Sequence, residues 1–232
     1  MIMRRHARHG FGVVVLLAAA TALARPQPLA GFPRARVAQG PSPAHDRSPS
    51  VIAQPVVLVL PDGKDGIGFD DLRFSPDARR GRAYTHTWDD ATVVLELARH
   101  REVARWKNGC KASRGIALDE ARGLLFVGCD EGKATALDAA HDGVLLGTAE
   151  TGKGVDIIAY NPALAHLYVP GGDSATLTIL GVTAAGKLDA LGSVPVAADS
   201  HCVAADDAGH AYVCDPKRGA LLIVTDPFPA ER

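Results

Sequence analysis

From Val56 onward the apolar residues fall in short alternating runs, each closed by a polar turn. Four stretches can be laid under one another: DLRFSPDARRGRAYTHTWDDATVVLEL from Asp71, GIALDEARGLLFVGCDEGKATALD from Gly115, IIAYNPALAHLYVPGGDSATLTIL from Ile157 and CVAADDAGHAYVCDPKRGALLIVTD from Cys202. Each reads as strand, polar turn, strand, polar turn, strand. Aligned on the first turn, at Ser75, Asp119, Asn161 and Asp206, the units are 44, 42 and 45 residues apart. No long segment keeps a 3.6-residue apolar period. LARHREVARW, from Leu97 to Trp106, comes nearest to a helix, but Val103 and Trp106 fall where each repeat needs a fourth strand, so Glu102 to Trp106 is read as an outer strand.

A period near 43 residues with about four short strands per unit predicts an all-β fold, a β-propeller of about four antiparallel blades. A β-sandwich with chance internal similarity is the competing fold. The stretch from Val56 to Phe228 has room for four blades, which leaves two arrangements, a closed ring and an open or truncated arc. The run VVLVLPDG at Val56 is suited to be the outer strand of the last repeat, which ends in LLIVTD, joining the two ends of the chain in one sheet and closing the ring.

Before Val56 the pattern changes twice. MIMRRHARHG carries Arg4, Arg5 and Arg8 and no acid, and the apolar run Phe11 to Ala24 is too short to span a bilayer; together they predict a signal peptide over 1–24 and an exported, periplasmic or secreted protein. Residues 25–55 hold seven prolines and little periodicity, as expected of an extended linker. The repeats then occupy 56–228 and a short tail 229–232. Without the three leader arginines, 22 basic residues face 26 acidic ones, a mildly acidic balance that argues against nucleic acid and anionic membrane as partners.

Four cysteines suit an oxidising compartment. Cys110 and Cys129 bracket the inner hairpin of the second repeat, and Cys202 and Cys214 that of the fourth, so bridges 110–129 and 202–214 are expected. A zinc site of all four would call for C-x-x-C steps, which the sequence lacks. GTAETGKG, from Gly147, has the spacing of a phosphate loop, yet Gly154 stands where Ser or Thr is needed and a strand follows instead of a helix. The acids of PDGKDGIGFDD, from Pro61, do not follow the spacing of a calcium loop. There is no G-x-S-x-G or H-E-x-x-H. No catalytic or metal-binding residue is therefore assigned, and a cofactor is left unassigned.

Counting four residues back from the last apolar residue of each first strand, at Phe74, Leu118, Tyr160 and Ala205, gives Asp70, Arg114, Asp156 and His201. The innermost strand of a blade lines the channel, so these four are expected to ring one mouth and to hold a small polar ligand there. The turn THTWDDA adds His86, Trp88 and Asp89 as a candidate rim.

The phrases CKASRGIALDEARGLLFVGCDEGKATALDAAHDGVLLGTAETGKGVDIIAYNP and HLYVPGGDSATLTIL resemble the repeats of YVTN-type (YncE-like) bacterial propeller proteins, WD40-like in architecture, over roughly Asp70 to Pro227. Such proteins usually have about seven blades, so the chain is read as a shortened member. The resemblance implies an exported scaffold, and the expected function is non-enzymatic binding of a protein or small polar ligand. An open arc would further allow a homo-oligomer. The alternative from another class is a lactonase-like or quinoprotein-like enzyme with a metal or quinone over the channel mouth.

Overall fold

The computed structural model describes residues 52–59, 75–77, 80–87, 90–99 and 101–231; the expected leader, most of the linker, and Asp70, Trp88 and Asp89 lie outside them. Along the chain run β1 (Val56–Val59), β2 (Ser75–Asp77), β3 (Arg82–Thr87), β4 (Ala91–Glu96), β5 (Arg101–Lys107), β6 (Ser113–Asp119), β7 (Leu124–Cys129) and β8 (Lys133–Asp138). They are followed by β9 (Val144–Glu150), β10 (Ala159–Asn161), β11 (His166–Gly171), β12 (Thr176–Val182), β13 (Leu188–Pro195), β14 (Val203–Ala205), β15 (His210–Asp215) and β16 (Ala220–Thr225). A 3₁₀ turn, Leu97–Arg99, leads into β5, so the helix-like stretch is a turn and an outer strand.

The strands form four antiparallel sheets: β2 to β5, β6 to β9, β10 to β13, and β14-β15-β16-β1, here blades 1 to 4. The expected all-β, four-bladed propeller architecture is what the chain adopts. Each blade is a meander because its turns are short and carry residues suited to positive φ, such as Gly123 (70°) and Gly132 (99°). In blades 1 to 3 the outer strand slips register at the same place, beside Val94, Ala136 and Ile179, each opposite the aromatic residue of its second strand. Such bulges increase local twist, which turns each outer strand away from its neighbours.

The second strands of blades 2 and 3 are buried on both faces, which explains why LLFVGC and HLYVPG read as near-continuous apolar runs. Leu125 and Val127 pack toward blade 1 with Tyr84, Val94 and Trp106, while Phe126 packs toward blade 3 with Leu167, Val169 and Leu180. A third cluster joins blades 3 and 4 through Tyr168, Leu177, Ile179, Ala211, Val213, Leu222 and Val224. Full burial of a side chain such as Phe126 stabilises the fold by about 1.5–3 kcal/mol. Among the described residues these three clusters join blade 1 to 2, 2 to 3 and 3 to 4.

As the apolar run at Val56 suggested, β1 supplies the outer strand of the last blade, with Val56 opposite Ile223 and Val59 opposite Ala220. This completes the fourth sheet. Packing also reaches beyond the boundaries expected for the repeats. Ile52 is buried between Gly192 and Phe228, inside the stretch expected to be linker. The tail likewise folds back, and the amide of Glu231 donates to the carbonyl of Leu164 at 2.9 Å.

Candidate functional site

In every blade the inner strand begins, and the second strand ends, at the same end of the sheet, here called the mouth end. The aromatic residue of each second strand fixes the equivalences: Tyr84, Phe126, Tyr168 and Tyr212 stand opposite Ser75, Ala117, Ala159 and Ala204. Three residues back along the inner strand lie Arg114, Asp156 and His201, each following a buried residue, Ser113, Val155 and Ser200. The same count from Ser75 reaches Leu72 instead of Asp70. The first turn of blade 1 pairs Asp77 with Arg82, as Asp119 pairs with Leu124, so the SPD alignment was displaced by two residues. Both Leu72 and Asp70 lie outside the described residues.

Backbone contacts bring the other three positions side by side. The amide of Ile157 donates to the carbonyl of His201 at 3.0 Å. A Cβ placed on Gly115 would lie 2.5 Å from the carbonyl oxygen of Asp156, so only glycine lets the second inner strand approach the third this closely. All three side chains are half-buried. Arg114 lies 3.7 Å from Asp130, and the Nδ1 of His201 faces the Asp199 carbonyl at 2.7 Å, which makes Nδ1 the protonated nitrogen. Around them stand the pairs Lys217–Asp199 (3.0 Å) and Lys133–Glu131 (2.5 Å). The mouth end thus offers both signs of charge. Among the described residues no three His, Cys, Asp or Glu side chains are grouped to hold a metal ion.

His86, expected at the rim, lies at the mouth end of β3 but points into the joint between blades 1 and 2. Its Nδ1 is 3.0 Å from Thr92 Oγ1, and Thr92 continues a buried chain: Asn108 donates to Thr92 and to Ser113, whose hydroxyl donates to the Thr87 carbonyl at 2.7 Å. Burial pushes the His86 pKa down to about 4, only partly offset by the backbone of Phe126 and Gly115, so the imidazole is neutral at ordinary pH. Its role here is to join two blades. Cys110 and Cys129, and Cys202 and Cys214, lie within bridging distance in the pairs that the repeat positions suggested, with Cα separations of 5.2 and 5.5 Å.

The opposite end carries two constellations that the sequence reading did not single out. Asp119 accepts hydrogen bonds from Arg122 Nε (2.5 Å) and the Tyr160 hydroxyl (2.9 Å), and Arg122 also donates to Tyr160 and to the Val182 carbonyl, clasping blade 2 to blade 3. Burial raises the carboxyl pKa of Asp119, but the bonds from Arg122 and Tyr160 outweigh it and hold it below the usual range. Tyr160 is pushed up, first by burial and then by Asp119.

Between blades 3 and 4, Asp226 Oδ2 accepts from His166 Nδ1 and from the Tyr168 hydroxyl, both at 2.7 Å, with the His166 and Asp226 side chains fully buried. Burial again raises the carboxyl, and the bonds from His166, the Phe228 amide and Tyr168 bring it below normal. These partners are 58 and 60 positions apart, and only the recurrence of a His-x-Tyr step at His166 and His210 hinted at a shared role. In blade 4 that step turns instead on its own Asp206, which accepts from His210 Nδ1 at 3.0 Å and the Tyr212 hydroxyl at 2.9 Å.

No family model matches the chain, and no curated protein matches it. Solved structures do. A chain in a crystal structure of the mitotic checkpoint complex aligns over 62% of this protein and 45% of itself, with a TM-score of 0.54 at 14% identity. The β-propeller domain of Myceliophteria thermophila Cps50 (Swd1) aligns over 66% of this protein and 52% of itself, with a TM-score of 0.56 at 10% identity. The chain therefore matches about half the length of each, and at such identities the likeness establishes the propeller-type repeat fold. No helix among the described residues is long and apolar enough to cross a membrane.

Proposed function

We propose that this protein is an exported, YVTN-type (YncE-like) propeller that works as a non-enzymatic scaffold, binding a protein or small polar ligand at the mouth end. The observation that carries the reading is the adjacency of Arg114, Asp156 and His201. Three successive repeats place a different polar side chain at one equivalent position and hold them together by backbone contact, through the Ile157–His201 hydrogen bond and the close approach at Gly115. Packing alone does not call for this variety. A mouth lined by a guanidinium, a carboxylate and an imidazole suits a ligand with both donor and acceptor groups, and a nearby guanidinium opposes a bare dication.

The two cysteine pairs within bridging distance and the leader-like first 24 residues support export. One of the neighbouring folds was solved within a protein complex, which suits a scaffold role. Calorimetry with a small-metabolite panel, calcium and zinc, together with capture from an exported-protein fraction, tests the reading on wild type, Arg114→Ala and His201→Ala. A partner or organic ligand weakened in both variants is the expected result. Binding that is indifferent to both, or tight metal binding lost in Arg114→Ala, would overturn it.

A further inference from the structure

The two disulfides occupy different physical situations. Cys110 and Cys129 are buried inside the cluster between blades 1 and 2, beside the Asn108–Ser113 network. Cys214 lies two residues after Tyr212 and so shares its face of β15, while Ala211 and Val213 on the other face pack against blade 3. The equivalent position in blade 2 is Gly128, where a Cβ would come within 2.7 Å of Val155 and 2.8 Å of Ile158. In blade 2 that face is filled by the following blade; in blade 4 it carries the bridge beside Tyr212, Leu221 and Ile223, which are only partly buried. Cys214 is itself buried, but Cys202 is partly exposed, at the mouth end next to His201. The Cys202 amide donates to Cys214 Sγ at 3.0 Å, and Lys217 and Arg218 follow closely in the chain.

We propose that Cys202–Cys214 is an exchangeable disulfide, opened by a dithiol reductant attacking Cys202, whereas Cys110–Cys129 is static. The reductant's thiolate attacks Cys202 Sγ and forms a mixed disulfide. The Cys202–Cys214 bond breaks, and its electron pair leaves on Cys214 Sγ as a thiolate that the Cys202 N–H is placed to stabilise. The second thiol of the reductant then displaces Cys202, so that the dithiol loses two electrons, the protein bridge gains them, and water supplies any protons taken up. Two bonds keep blade 4 paired after opening: Cys214 N to the Cys202 carbonyl at 3.1 Å and Ser200 Oγ to the Cys214 carbonyl at 2.7 Å. What changes is the tether behind His201, so exchange would alter the mouth without unfolding the blade.

The test uses the folded full chain with low-millimolar dithiothreitol, quenched by alkylation at intervals and mapped by peptide mass spectrometry. Cys202 and Cys214 should be labelled at least about tenfold faster than Cys110 and Cys129, as thiol access governs the rate. In a parallel arm, glutathione should be trapped on Cys202 and not on Cys214. Equal or faster opening of Cys110–Cys129, resistance of both bridges without denaturant, or an adduct on Cys214 would each overturn the proposal.

Discussion

Asp226→Ala should be among the most damaging single truncations in the protein, although the residue lies beyond the last strand. Its carboxylate accepts from His166 Nδ1 and Tyr168 OH at 2.7 Å each and from the Phe228 amide at 2.9 Å, in a place from which water is excluded. Hydrogen bonds to a charged group contribute about 1.5–3 kcal/mol each. Truncation also strands two buried donors, and breaking such a set from one side costs about 3–5 kcal/mol. Urea melts of wild type, Asp226→Ala, Tyr168→Phe and the double variant form a cycle that isolates the shared term. Tyr168→Phe alone should cost about 1–2 kcal/mol and much less once Asp226 is gone, because the stranded hydroxyl is then removed. A loss below about 1 kcal/mol for Asp226→Ala, or costs that simply add, would refute the buried network as the bond between blades 3 and 4. The folded carboxyl sits below its ordinary value, so its contribution is complete above the usual carboxylate range and is lost as pH falls through the lowered value.

The pKa of His86 is lowered too, but by burial, which in a base disfavours the charged form. The unfolded chain binds its proton near 6.5 and the folded one near 4, so stability should drop by up to about 3 kcal/mol as pH falls across that window, and His86→Gln should flatten this limb in pH-dependent thermal melts. A wild-type curve that stays flat between those values would count against the buried placement. Gly115→Ala should cost about 1–3 kcal/mol, because the new Cβ would strike the Asp156 carbonyl, and it should also weaken any ligand that contacts both Arg114 and Asp156; unchanged melting and binding would refute the close approach.

The blades were legible in the chain because each strand is short, each turn is polar, and the unit repeats; even the pairing of Val56 with the last blade followed from an apolar run with no other place to go. What failed was phase within a repeat. SPDARRG offers two places to begin the turn, and with Asp77 opposite Arg82 the count runs back to Leu72 instead of Asp70, both outside the described residues. His86 was read as rim because it neighbours polar residues in sequence, whereas the pleat sends it inward to Thr92. The Asp119–Arg122–Tyr160 and His166–Asp226–Tyr168 sets escaped notice because each is assembled across two blades from residues that no local pattern connects. Periodicity reports what each repeat shares; these contacts exist where repeats differ.

The pairing of β1 with β16 also sets an order of events. The strand that finishes the last blade is the first of the described strands to be synthesised, and its partner is the last. Until Ala220–Thr225 has been made, VVLV has no registered neighbour, and blades 1 to 3 can be complete while the fourth waits. Nascent molecules should therefore pass through a stage with a bare apolar edge at one end, when annealing to another chain competes with self-completion. Once the strand docks, its hydrogen bonds join the first and last of the described strands in a single sheet. Pulling on the two flanks would first draw Ile52 and Glu231 off blade 3 and then load that seam, peeling it from one end.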